Sequence, residues 1–248
     1  SIKPFPKQKQ RPCVFEYIYF ARPDSLIGNK CAYHYRKNLG IELAKETDLK
    51  ADLVVPVPDS GVPAALGYAE ESKKQFELGL IRNHYVGRTF IEPTQNIRSL
   101  GVKLKLSTTK TIVENKSIIL IDDSLVRGTT CHKIVKMLYE SGAKEVHVRI
   151  ACPEIKFPDF YGVDMPTKEE LLAHNKNNEE MCEHIKAKSL KFLSLKGLYK
   201  ALIGAERNSN YPQFSDHYFT GDYPIKPHDN LQGLKVKQLS LLSGKSNS

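Results

Sequence analysis

The chain has 248 residues, 40% of them apolar, and a net charge of +9. That is enough for one large or two small domains with a real core, and no run approaches the roughly 18 uninterrupted apolar residues of a membrane span. The positive charge is dispersed, with no dense basic block or nucleic-acid motif, so a polyanionic small substrate accounts for it better than nucleic acid does.

Residues 1–12 are rich in Lys, Gln and Pro and read as a lead-in or linker. The start, at Ser1, lacks the apolar core of a signal peptide, and a cytoplasmic protein is expected. The five cysteines are odd in number and widely spaced, without a Cys-x-x-Cys. That pattern argues against a zinc site or a secreted disulfide framework.

Aromatic and β-branched residues from Cys13 to Arg22 favour a strand, which Pro23, Asp24 and Ser25 break. Residues 33–47 carry Tyr35, Leu39 and Leu43 at four-residue spacing and predict an amphipathic helix. Ala51–Val57 is a buried-strand candidate, followed by a tight loop, Asp59, Ser60 and Gly61. A helix then starts at Val62, with Pro63 near its first position and Val62, Ala65, Leu66 and Ala69 as its expected buried stripe. Phe76–Ile81 reads as a short strand. The polar, basic stretch from Arg82 to Lys105 is long for a loop in a compact domain, and such loops are functional or disordered. Its charge suits a diphosphate and its length suits a lid.

Residues 117–130 organise the rest. Ile118–Ile121 is an unbroken apolar run, as in a strand buried on both faces of a parallel sheet. Asp122 and Asp123 follow, then a loop with Ser124, Arg127 and Gly128. A helix is predicted from Thr129 to Ser141, with Cys131, Ile134, Val135 and Leu138 on its buried side and Gly142 as its C-terminal cap. Backbone N–H groups at a helix start favour a phosphate. Gly128 lets the chain pass close to it, and the hydroxyls of Ser124, Thr129 and Thr130 add donors. The acidic pair repels phosphate; it suits sugar hydroxyls, or a hard cation such as Mg2+ that bridges phosphates.

Glu145–Cys152 predicts another strand, and Thr167–Glu170 a capping box. Helical pieces through Lys186 break near Asn175–Asn178; a strand over Leu190–Leu195 and a last helix over Lys196–Ile203 follow. Strands alternating with helices imply an α/β fold, a mostly parallel twisted sheet flanked by helices. The chain divides into the lead-in 1–12, a domain over 13–203 and an extension over 204–248, frayed at its end.

The 117–130 stretch resembles the phosphoribosyl pyrophosphate signature of the type I phosphoribosyltransferases. Three further strings, Phe15–Ser25, Tyr85–Ile91 and Phe157–Pro166, are similar to the glutamine phosphoribosylpyrophosphate amidotransferase family in particular. The resemblance covers roughly residues 13–225 and implies the type I fold with an inserted flexible lid. It implies Mg2+-dependent displacement of pyrophosphate by ammonia to give 5-phosphoribosylamine, at the start of purine synthesis. Carried over by motif, Asp122, Asp123, Tyr85 and Arg88 would be catalytic. Ser124, Arg127, Gly128, Thr129, Thr130 and Arg98 would bind substrate, and Ser60, Asp122 and Asp123 would hold the metal.

Some relatives carry an iron–sulfur cluster; Asn208–Tyr223 has no cysteine, so no cluster is expected. Family members carry a glutaminase domain ahead of the transferase, and it is absent from these residues, so glutamine would act through an absent domain or partner chain. A homo-oligomer is expected, with no nucleic-acid or membrane partner. Two other readings stand beside this one: a transferase for another acceptor, and a non-catalytic sensor of phosphoribosyl pyrophosphate.

Overall fold

A computed structural model describes residues 9–47, 49–83 and 106–225. After a π-helical turn over Glu16–Phe20, strands β1 (Leu26–Ile27) and β2 (Lys30–Cys31) form a small hairpin before helix α1 (Ala32–Glu46). Strand β3 (Leu53–Pro56), helix α2 (Val62–Ser72) and strand β4 (Gln75–Phe76) follow. Strands β5 (Leu80–Arg82) and β6 (Leu106–Thr108) pair antiparallel beside a short helix α3 (Lys110–Val113). Then come β7 (Ser117–Asp122), α4 (Thr129–Glu140), β8 (Glu145–Ile150), α5 (Leu172–Asn175), α6 (Asn178–Ile185), β9 (Ser189–Phe192), α7 (Leu195–Ile203) and α8 (His217–Thr220).

The apolar runs make the sheet. Its order is β4-β3-β7-β8-β9, and every pairing is parallel. Ile118–Ile121 are fully buried at the centre, flanked by Val54 and Val55 on one side and Val146 and Val148 on the other. From β3 the chain crosses through α2 towards β4; from β7 it crosses through α4 in the opposite direction, towards β8. Right-handed crossovers therefore put α2 and α4 on opposite faces. The strand order reverses between β3 and β7, the place where open parallel sheets bind ligands.

Helices α1 and α2 cross at very short range. A Cβ on Gly40 would stand 1.8 Å from the Ala64 carbonyl oxygen, and one on Gly67 2.0 Å from that of Lys37. This crossing changes the expected stripe on α2. Pro63, Ala64, Ala65, Gly67, Tyr68 and Ala69 are buried, while Val62 and Leu66 are only half-buried, because α2 is covered by the sheet and by α1 at once.

Other expectations are corrected. Residues 14–20 of the expected strand Cys13–Arg22 are helical, Cys13 makes one bridge to Ser215, and the helical turn ends at the extended Ala21. The buried residues Val14, Phe15 and Ile18 follow helical spacing, and strand propensity yields to packing. The predicted strand over Phe76–Ile81 is two strands in separate sheets. Thr167 makes no cap, and Glu170 turns to Arg127 instead; the capping box is Asn177 with Glu180, at the start of α6. Strand β9 ends at Phe192, because Ser194 caps α7 by accepting the Gly197 N–H at 2.9 Å. Helix α7 is not the last, since α8 follows. Residues 226–248, with the expected frayed end, lie outside the described residues.

Residues 205–225 strap the N-terminal segment to the body. Phe214 and Tyr218 are buried, and Phe15 packs edge-on against Tyr218 at 4.7 Å. Asp216, fully buried, accepts from Tyr199 at 2.7 Å and from Arg207 at 2.6 Å. Buried charge is tolerable only when paired and hydrogen-bonded. Asp216→Ala removes the acceptor of the buried Tyr199 hydroxyl and leaves Arg207 with Asp222 alone, and is expected to cost about 3–5 kcal/mol, read as a shift of the urea midpoint at unchanged slope.

Candidate active site

The two loops at the switch point are tied to one another through β7. The Val57 N–H donates to the Ile121 carbonyl at 2.8 Å, and the Gly61 N–H returns to the Val57 carbonyl at 2.9 Å. A Cβ on Gly61 would meet the Ile121 oxygen at 2.5 Å, so only glycine lets this loop lie against the end of β7. Asp59, on the same loop, forms an ion pair with Arg82 at 2.7 Å, which moors the end of β5 here.

At the end of β7, Asp122 Oδ1 accepts the Asp123 N–H at 2.9 Å. The Asp123 carboxylate is 6% exposed and accepts the Ser124 hydroxyl at 2.5 Å and that of Ser60. Burial, and then the neighbouring Asp123, hold Asp122 well above the usual carboxylate range. Burial also raises Asp123, opposed by the hydroxyls of Ser124 and Ser60 and by the positive charge of Arg36. Two carboxylates placed side by side, Asp123 buried and Asp122 half-buried, are costly as anions. A cation or a set of sugar hydroxyls relieves that cost.

Beyond them lies a cup of about 210 Å3 formed by residues 124–131 around the start of α4. Gly128 caps α4 with φ +77°, and a Cβ there would meet Leu172 Cδ2 at 2.8 Å. Thr129 and Thr130 are exposed at the helix start, where free N–H groups and the helix dipole favour an anion. A separate cleft of about 410 Å3 runs between Tyr19–Pro23 and the Pro58–Ser60 loop, and Ser60 joins it to Asp123.

The fold thus brings Ser60, Asp122, Asp123 and Ser124 together, with Gly128, Thr129 and Thr130 beside them. Arg127 lines the cup, but its guanidinium forks onto Glu170 at 3.2 Å for both bonds. Tyr85, Arg88 and Arg98, expected on a lid, lie outside the described residues. Arg36, Asp59 and Arg82 went unnoticed as site residues. Arg36 carried a signal all the same, being a cation spaced four and seven residues before Gly40 and Leu43 on the buried side of α1.

The fit to a hard cation rests on the donors. Ser60 and the two carboxylates supply oxygens only, too few to enclose an ion. No cluster of three His, Cys, Asp or Glu occurs among the described residues. Mg2+ accepts such a site, because it retains waters and takes phosphate oxygens from the ligand.

An anion-suited cup, an acidic pair and a second loop, all at the switch point of a parallel sheet, fit the phosphoribosyltransferase class. The chain belongs to the phosphoribosyl transferase domain family, which matches residues 34–159. It is 57% identical over 242 residues to the amidophosphoribosyltransferase of Rhizobium etli, covering 97% of this chain and 49% of that one. The Staphylococcus aureus amidophosphoribosyltransferase is 52% identical over 216 residues, 87% of this chain and 44% of its own. Among solved structures, the B. subtilis glutamine phosphoribosylpyrophosphate amidotransferase complexed with ADP and GMP superposes with a TM-score of 0.82 at 47% identity, over 90% of this chain and 49% of that one. The chain spans about half the length of the curated relatives it matches.

A carboxyl group whose pKa is raised in the folded state favours folding when protonated. That contribution is complete below the unfolded value of about 3.9 and is lost as pH rises towards the raised folded value. Asp122→Asn is therefore expected to stabilise the ligand-free chain at pH 7. The melting temperature should rise by about 2–4 °C, the shift for roughly 1 kcal/mol in a domain of this size. Melting curves at pH 4 and pH 7 should show the gain shrinking at the lower pH.

Proposed function

We propose that the chain is the phosphoribosyl-transferring half of an amidophosphoribosyltransferase, which displaces pyrophosphate from phosphoribosyl pyrophosphate with ammonia to give 5-phosphoribosylamine. The observation that carries this reading is the acidic pair at the end of β7, with Asp123 buried and Asp122 half-buried, set between the anion-suited start of α4 and the loop that carries Ser60. The high identity to named amidophosphoribosyltransferases supports it.

The 124–130 cup takes the 5′-phosphate through the N–H groups at the start of α4 and the hydroxyls of Ser124, Thr129 and Thr130. Anchoring that end places the ribose over Asp122 and Asp123, which orient its hydroxyls and favour the positive charge that develops on the ring. Ser60, Asp122 and Asp123 would hold Mg2+. When bound, the ion neutralises charge on the departing pyrophosphate. The stretch after β5 would serve as the lid that the resemblance implies, with Tyr85, Arg88 and Arg98 closing over the diphosphate and excluding water. Ammonia comes from glutamine through the part of the relatives' length that these residues do not span. The working protein is a cytoplasmic homo-oligomer without a nucleic-acid partner. No helix among the described residues is long and apolar enough to cross a membrane.

Pyrophosphate release from phosphoribosyl pyrophosphate and Mg2+ tests the reading. Release is expected with ammonium and not with glutamine alone, and Asp123→Asn should lower kcat/KM for ammonium about a hundredfold or more. Tight Mg2+-dependent binding of the substrate without turnover would instead identify a sensor on the same fold.

A further inference from the structure

Arg36 projects from the buried side of α1 and is 5% exposed. Its Nε donates to the Tyr17 carbonyl at 3.1 Å, and its Nη2 to the carbonyls of Ala21 at 2.6 Å and Glu16 at 3.5 Å. Those bonds occupy one edge of the guanidinium and close the helical turn over Glu16–Phe20. The remaining nitrogen, Nη1, has no hydrogen-bond partner among the described residues. It is not one of the fully enclosed unpartnered atoms either. Arg36 lines the 410 Å3 cleft, facing the loop that carries Asp59 and Ser60.

A guanidinium this deeply buried, with one free edge on a cleft, is unusual. Burial depresses its pKa, and no carboxylate forms an ion pair with it among the described residues. Of the other cations that line the cleft, Arg82 is paired with Asp59 and Arg22 with Asp24. Arg36 is the lining cation without an ion-pair partner among the described residues, pre-oriented by three carbonyls and lying in the field of Asp123. A planar fork of this kind suits phosphate oxygens.

We infer that Arg36 is a pyrophosphate-binding residue, whose Nη1 edge contacts the diphosphate end of the substrate beside Ser60. The same hydrogen bonds tie the 16–21 segment to that end, so the wall of the cleft and the leaving group share one anchor. This rests on the transferase reading above.

The test is binding of two probes to the full chain with Mg2+: inorganic pyrophosphate and ribose 5-phosphate. Arg36→Met should weaken pyrophosphate about ten- to hundredfold, the loss of a charge-assisted hydrogen bond, and leave ribose 5-phosphate within about twofold. Arg36→Lys keeps a cation without the fork and should fall between the two. Equal weakening of both probes would make Arg36 a strut only, and no weakening of either would also overturn the inference. If the unaltered chain binds neither probe, the transferase reading itself falls. Should Arg36→Met fail to fold, the nitrogen resonances of the Arg36 guanidinium in the unaltered chain decide. They should move on addition of pyrophosphate and stay in place with ribose 5-phosphate; any other pattern refutes the contact.

Discussion

Two carboxylates share the end of the central strand, and burial holds both out of their ordinary range. Much of the site answers that cost. Asp123 is met by two hydroxyls and by the field of Arg36, and Asp122 by a single backbone N–H. The protein thus retains an electrostatic deficit that a bound cation or polyhydroxyl ligand relieves. Binding and ligand-free stability draw in opposite directions at this point, as they commonly do where a site is built for function.

The sheet places that deficit where a ligand can reach it. Strand β7 has parallel neighbours on both sides, so its interior is closed to solvent and only its end opens. Because the crossovers from β3 and β7 diverge, the helices that follow them leave open the crevice between the strand ends. Two glycines keep the adjoining loops in place: Gly61, whose backbone lies against the Ile121 carbonyl, and Gly128, whose positive φ turns the chain into α4 beneath the Leu172 side chain. The first loop is thus fixed by backbone packing and the second by a conformation that favours glycine.

The segment before α1 and the strap after α7 close the structure on that side. Phe15 packed on Tyr218, and Arg11 donating to the carbonyls of Phe214 and Asp222, bind the two together. Arg36 then links the N-terminal turn to the cleft. One buried cation thereby couples a distant sequence segment to the wall of the site.

By itself the sequence determined the parallel sheet, through the unbroken run Ile118–Ile121, and the acidic pair with its loop, through adjacent residues whose spacing is local. The helices over 32–46 and 129–140 were legible too, because 3.6-residue periodicity survives in α1 and α4. It misread Cys13–Arg22 as a strand and Thr167–Glu170 as a capping box. In both places tertiary partners decide: the strap and Arg36 in the first, and Arg127 drawing off Glu170 in the second. Only the tertiary structure brought Ser60 to Asp123 and turned the free edge of Arg36 into the cleft. Those contacts join β3, β7 and α1, and their existence depends on strand order and on the close crossing of α1 over α2, neither of which is written in any local pattern.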